Sequence, residues 1–443
     1  ISRSNPVQVV DAGGSSLVDT ISASGGMWHS MILKSDGTMA SFGRNNYGQL
    51  GNGTNDQFLN PIPTTHPSAS GESFGVVNIK STANGRYHTL YLNTGGTVWA
   101  VGRNNKGQLG NGTNNDDRHP VQVLNSDGSI LKGIIEIDAG DEHSLFLKSD
   151  GTVWAVGSNN VGQLSSGPST DQSYPVQVVQ DGGIFNPNYA FENVISISSN
   201  GNNNLFLRTD GEAWYSSNGH PSKVISALNG SYLDNIKKIS AGNFSHLFLK
   251  SDGTVWNGST DNSSYYPSEV KSDQNASIVN VTSISAGESH FLLLGASGAI
   301  LSFGSNSSGQ LGDSTFTDKA NPVAVIDNWG YIHSGVTSIS AGSTHSLFLQ
   351  SDGTVWAVGR NYKGQLGDGN FTDRSNPVQV IGHGNSPLSG VVAISAGYSN
   401  SVFLKDDSTI LGVGTNSYNQ LSIISLSNKE IPFPMTGNGI PPS

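Results

Sequence analysis

The unit ISAGSTHSLFLQSDGTVWAVGRNYKGQLGDGNFTDRSNPVQV, from Ile339 to Val380, recurs with variations along the whole 443-residue chain. Self-similarity at a fixed period means stacked copies of one supersecondary unit, none of which can bury its apolar face alone. Anchoring on the His of the unit gives His29, His88, His143, Asn204, His246, His290, His345 and Asn400, at intervals of 59, 55, 61, 42, 44, 55 and 55 residues, and so eight copies. Within a copy, ISAG and SLFL are short apolar segments split by a Gly turn, and SDGT is an Asp-Gly hairpin signal leading into TVWAVG. NPVQV supplies a fourth strand, and its leading Pro places that strand outermost, since Pro is tolerated only at a strand start or sheet edge. SLFL and TVWAV are apolar at consecutive positions, as expected of sheets packed on both faces, and the small residues of SISAG suit a crowded innermost strand.

These motifs resemble the regulator of chromosome condensation repeat family across essentially the whole chain. The carriers are the GxxHS turn, the SDGTVWAVG hairpin and the GRNNxGQLGNGT loop at Gly43 to Thr54, Gly102 to Thr113 and Gly359 to Asn370. The resemblance implies an all-β fold, a single closed β-propeller of four-stranded antiparallel blades. Eight repeats point to eight blades, although familiar family members have seven, and copies four and five lack the GQLG loop. It also implies regulation of proteins: the family includes a nucleotide-exchange factor for a small GTPase, and a similar bacterial propeller inhibits β-lactamase.

The propeller is expected over residues 1–430, with a Pro-rich tail at 431–443. An outer-strand sequence at Asn5 to Val9 precedes eight complete copies, and the last copy already ends in IPFPM, so nine outer strands serve eight blades. Either the N-terminal strand, residues 5–10, closes the ring, or it is donated to a neighbouring subunit by strand addition.

Composition narrows the function. Lys and Arg number 22 against 33 Asp and Glu, a net charge of −11, which gives no general basis for binding nucleic acid or an anionic membrane. With no cysteine there is no disulfide, thiolate metal site or cysteine nucleophile, and no apolar run reaches the ~18 residues of a membrane span. The start at Ile1 without a signal-like stretch suggests a trimmed chain, and the expected location is extracellular or at the cell surface of a bacterium.

Strand parity puts the GxxH turns and the GQLG loops on one face, opposite the SDGT hairpins. That face carries dipeptides that differ between copies, and these are the candidate binding residues: Met27, Trp28, Arg86, Tyr87, Asp141, Glu142, Phe244 and Tyr398, alongside Asn202, Asn203, Glu288 and Thr344. A constant scaffold with variable tips makes a binding surface, and aromatic and Arg residues are the expected anchors. The opposite face is a rival, with Phe185, Tyr189 and Phe191 in one long connection and Trp329 and Tyr331 in another.

The repeated His reads as a hydrogen-bonding residue, because one imidazole per blade is too widely spaced for one metal ion. Trp99, Trp154, Trp256 and Trp356 recur in TVW and read as blade packing. Asp141 and Glu142 lack a fixed nucleophile or orienting partner, and no GxxxxGKS, HExxH or DxDxDG sequence occurs, so neither catalysis, metal nor cofactor is expected. Ten Asn-x-Ser/Thr sequons, Asn52 and Asn111 among them, read chiefly as turn chemistry. The expectation is a non-enzymatic adhesion module binding a protein or glycan, with two alternatives: a self-assembling filament or coat subunit, and a protein regulator.

Overall fold

A computed structural model describes residues 3–9, 17–25, 29–56, 58–67, 73–75, 78–166, 169–179, 191–216, 221–226, 230–243, 245–259, 266–382 and 386–415. Eight four-stranded antiparallel sheets form the eight blades of a propeller, with no helix among the described residues. Blade 3 shows the pattern. Its strands, from the innermost outward, are Ile134–Ala139, His143–Lys148, Val153–Gly157 and Gln172–Gln177.

Local chemistry sets the turns. In the Asp-Gly hairpin of blade 3, Gly151 takes φ 81°, and the Asp150 carboxylate accepts from the Thr152 amide at 2.9 Å and its hydroxyl at 2.6 Å. The second strand, HSLFLK, is buried at every position but the last, because both its faces meet other blades. The apolar cores therefore lie between blades, one cluster to each seam. At the seam of blades 2 and 3, Leu90, Val98 and Ala100 of one meet Ile137, Phe146 and Val156 of the other.

The ring closes with the N-terminal strand. Arg3–Gln8 is the outermost strand of blade 8, beside Ile410–Gly414, with Arg3 opposite Gly414 and Gln8 opposite Leu411. The heptapeptide Arg3–Val9 is identical in sequence to Arg374–Val380, whose strand pairs in blade 7 in the matching register, Arg374 opposite Gly359 and Gln379 opposite Trp356. Val9 is buried among Val402, Leu404 and Ile410 of blade 8 and Ile32 and Phe42 of blade 1. The IPFPM segment and the tail at 431–443 lie outside the described residues.

Pairing corrects the repeat alignment in two copies. In blade 4, Leu205 and Phe206 take the places of Leu145 and Phe146, so Asn203 stands at the His position and Asn204 one step later, where other copies have Ser. In blade 5, Ser245 takes the His position and His246 the Ser position. The misreading followed the polar residue type, whereas the register is set by the buried Leu-Phe-Leu run.

Candidate binding face

Each inner strand ends in a Gly turn at the mouth of the central channel. A Cβ on Gly140 would fall 2.1 Å from Cε1 of His143 and 2.6 Å from the carbonyl of Gly201 in the next blade, so the turn closes tightly over the imidazole. The His side chain then reaches across the seam. His88 Nε2 lies 2.9 Å from Ser144 Oγ, which donates to the Gln108 carbonyl at 2.8 Å; His290 with Ser346 and His345 with Ser401 repeat the arrangement. At the seam of blades 3 and 4, Asn204 takes the serine's part, 2.7 Å from His143 Nε2 and donating to the Gln163 carbonyl. Burial pushes these imidazoles down, His143 and His290 to about 4 and His88 and His345 to about 3. They are clasps between blades, held neutral.

With the turn fixed beneath, the variable residues project onto the face. Tyr87 packs edge-on against Tyr47 with ring centroids 5.3 Å apart. Three guanidinium groups surround this pair: Arg103 lies 5.3 Å from both rings, Arg44 5.5 Å and Arg86 5.4 Å from the Tyr87 ring. Carboxylates border the cluster, with Glu142 3.0 Å from Arg103 and Asp141 3.6 Å from Arg86. Partial burial raises the Asp141 carboxyl, opposed by Arg86 and reinforced by Glu142 and Glu288. The result is a rigid aromatic and cationic patch with an acidic border on a molecule of net charge −11.

Beside the patch, the channel mouth forms a polar cavity of about 410 Å³. Arg86, Asp141, Glu288, Ser343 and Tyr398 line it, and Ser343 donates to Glu288 across the seam of blades 6 and 7. Deeper in, the Asp138 carboxylate accepts the Ser199 amide at 2.7 Å and the Ala139 amide at 2.8 Å. Burial pushes its carboxyl up to about 7. Other blades use a serine there, such as Ser285 accepting the Ala341 amide, and Asp138 takes a second amide because the preceding copy has Ala83 at this position. Its role is to join inner strands.

Of the candidate residues, Arg86, Asp141 and Tyr398 line the mouth, and Tyr87 and Glu142 belong to the patch. Met27, Trp28 and Phe244 lie outside the described residues, as do Phe185 and Tyr189. Phe191 is no surface residue: it is fully buried at the seam of blades 3 and 4, 5.3 Å from the rings of both Phe206 and Trp214. Sequence reading missed Arg44, Tyr47 and Arg103. The parity argument put their loops on this face, but their constant GRN frame drew attention away from the Arg and from the variable residue after it.

This architecture defines a repeat propeller of eight four-stranded blades. The profile of the regulator of chromosome condensation (RCC1) repeat matches residues 36–92, 95–147, 297–349 and 352–404, and a second profile of the same repeat matches segments from 18–49 to 391–420. The chain belongs to the regulator of chromosome condensation repeat family. It is 27% identical over 380 residues to the ultraviolet-B receptor UVR8 of Arabidopsis thaliana, covering 85% of this chain and 72% of the receptor. It is 35% identical over 147 residues to the Protein RCC2 homolog of Xenopus laevis, covering 33% of this chain and 26% of that protein. The crystal structure of Prp20p from Saccharomyces cerevisiae, described with its binding to Gsp1p and histones, shares the fold at a TM-score of 0.55 and 19% identity, over 89% of this chain and 94% of that one.

Proposed function

We propose that this propeller is a non-enzymatic binding protein that docks a partner protein on the face carrying the GxxH turns. The observation that carries the reading is the Tyr47–Tyr87 pair enclosed by Arg44, Arg86 and Arg103. Tyr and Arg dominate protein interface hot spots, and here cation–π contacts hold the side chains in place before a partner arrives, which lowers the entropy lost on binding. The solved relative Prp20p, described with its binding to Gsp1p and histones, supports protein as the ligand class. The acidic composition and lack of cysteine fit an extracellular or cell-surface adhesive setting.

The test is affinity capture from the native source, followed by titration calorimetry with the purified captured protein. Tyr87→Ala and Arg103→Ala should each weaken binding at least tenfold, or about 1.4 kcal/mol, while Ile130→Ala on the opposite face leaves it unchanged. Wild-type affinity in both variants would remove this face from the interface. Competition by a glycan array component in place of protein would transfer the reading to a carbohydrate ligand.

A further inference from the structure

The opposite face carries two apolar features that the other described residues leave exposed, one convex and one concave. The convex one is a small hairpin between blades 6 and 7, closed by the bridge of Ile326 with Ile332. It is rigid: the Asp327 amide donates to the Tyr331 carbonyl at 2.8 Å, and the Asp327 carboxylate accepts the amides of Trp329 and Tyr331 at 2.9 and 2.8 Å. Trp329 is nevertheless 79% exposed, Tyr331 72% and Ile332 59%.

Sister hairpins of the same chain show that the fold does not need those rings. Between blades 2 and 3, Leu124 bridges Ile130 in the same way, with Asp127 and Ser129 at the places of Trp329 and Tyr331. Polar residues do the structural work there, as water-facing turn tips normally require. Two exposed aromatic rings at these places are surplus to folding.

The concave feature is the channel mouth on this face. Each inner strand begins with an irregularity that turns its second residue outward, as between Ile134 and Glu136. Successive inner strands touch around the ring, and Lys80 Nζ reaches the Ile135 carbonyl of the next blade at 3.3 Å, so these second residues encircle the mouth. Val392, Ile21, Ile135 and Ile195 are there, 43% to 54% exposed, with Lys80 and Lys237 among them. Shape and charge are complementary: an aromatic projection whose own acidic group is Asp327, and a ring of four aliphatic side chains completed by Lys80, Lys237, Thr282 and Thr337 on a chain of net charge −11. Two aromatic side chains contribute roughly 150–250 Å² each, a large part of the ~800 Å² per partner of a stable interface.

We propose that the Trp329 hairpin of one copy of this chain inserts into the lysine-flanked channel mouth of a second copy. The contact joins unlike surfaces, so it closes as a dimer where two copies engage reciprocally and extends as a chain where they do not. It uses neither the tyrosine and arginine patch nor strand exchange, and so stands or falls apart from the proposed docking function.

Sedimentation velocity on the full chain from 1 to 100 μM is the test. The expected result is concentration-dependent association, weakened at least tenfold by Trp329→Ala/Tyr331→Ala and by Ile135→Asp. Ile195→Asn serves where Ile135→Asp does not fold. Mixing the hairpin variant with the mouth variant should restore 1:1 dimers and nothing larger, because each supplies the half the other lacks. A monomer throughout, association untouched by either variant, or mixtures that remain monomeric would each overturn the proposal.

Discussion

Blades 3 and 5 are copies of one unit held in the ring by different means. Blade 3 has a six-residue outer strand, a loop of the GQLG kind, here GQLS, whose Leu164 is buried in the seam with blade 4, and His143 reaching across to Asn204. The outer strand of blade 5 has two residues, Ser268–Glu269, its copy lacks the loop, and Ser245 at the His position donates to Gly258 within its own blade. Between blades 5 and 6 the aliphatic core remains, with the Ala286 amide donating to Ser240 at 3.1 Å. The inner three strands and the inter-blade core are therefore what both blades keep. The outer strand and its loop add a second, more polar layer, and in blades 1 and 2 that loop brings Arg44, Tyr47 and Arg103 to Tyr87 of the inner turn.

The largest expected effect is that of acid on the clasped seams. His29, His143, His246 and His290 are pushed down to about 4, and His88 and His345 to about 3, chiefly by burial. Below pH ~6.5 the unfolded chain takes up these protons while the folded one does not, so stability present above that value is lost as pH falls toward the folded values. Asp138, pushed up to about 7, has the opposite sign: the folded state keeps its proton where the unfolded state loses it, so its share of stability grows as pH falls from 7 toward 4. Burial raises the Glu136 and Asp141 carboxyls in the same sense, but these carboxyls are outnumbered by six imidazoles at ~1.4 kcal/mol per pH unit each. Denaturant melts from pH 7.5 to 4.5 should show a steep loss, and hydrogen exchange should show it first at the His-clasped seams. Flat stability down to pH 5 would mean that the imidazoles gain protons in place.

Truncating the outer layer comes next. Leu109 of the blade 2 loop is fully buried among Val123, Leu131, Phe146 and Val156, so Leu109→Ala should cost about 2–5 kcal/mol. Blade 5 has no such loop to truncate. His143→Ala removes the imidazole from Asn204 Oδ1, leaving Asn204 only its bond to the Gln163 carbonyl across the seam, and opens a cavity beneath Gly140; it should cost about 2–3 kcal/mol. Ser245→Ala, at the equivalent position of blade 5, removes two partly buried hydrogen bonds within one blade, to the Gly258 carbonyl and from the Asn257 amide, and should cost about 1 kcal/mol. Equal costs for these two substitutions, by chemical denaturation, would break the contrast between the blades.

The repeat made the blades legible in the sequence, because period-two strands, Asp-Gly turns and the Pro of the outer strand each have a local cause. Ring closure was legible only as a choice. The identity of Arg3–Val9 with Arg374–Val380 names the kind of strand, but its partner is set by long-range pairing with Ile410–Gly414. At the face, Arg86 and Tyr87 could be read from variability, whereas Tyr47 and Arg103 could not. Their loops join Tyr87 only when blades 1 and 2 stand side by side. Phe191 could be read only as one of several aromatics in a long connection, of the kind that commonly pack on themselves, and the seam of blades 3 and 4 is what takes it up as core.

The smallest effect sharpens the comparison by repair. Asn400 holds the His position of blade 8 and is buried, and its side-chain amide has no hydrogen-bond partner among the described residues. Ser30 of blade 1 occupies the place that Ser401 takes opposite His345, and an imidazole is longer than a carboxamide by enough to span such a seam. Asn400→His should therefore add the missing clasp and remove a buried unpaired amide, for a gain of about 1 kcal/mol. For a chain of this size that is a rise in Tm of only a degree or two, so it is best read as a shifted denaturant midpoint with unchanged slope. The gain should vanish below pH ~6 if the new imidazole is neutral and buried like its counterparts. An unchanged or lowered midpoint at pH 7.5 would show that the seam of blades 8 and 1 is closed by the N-terminal strand and its apolar core alone, and that His clasps stabilise only the blades that have them.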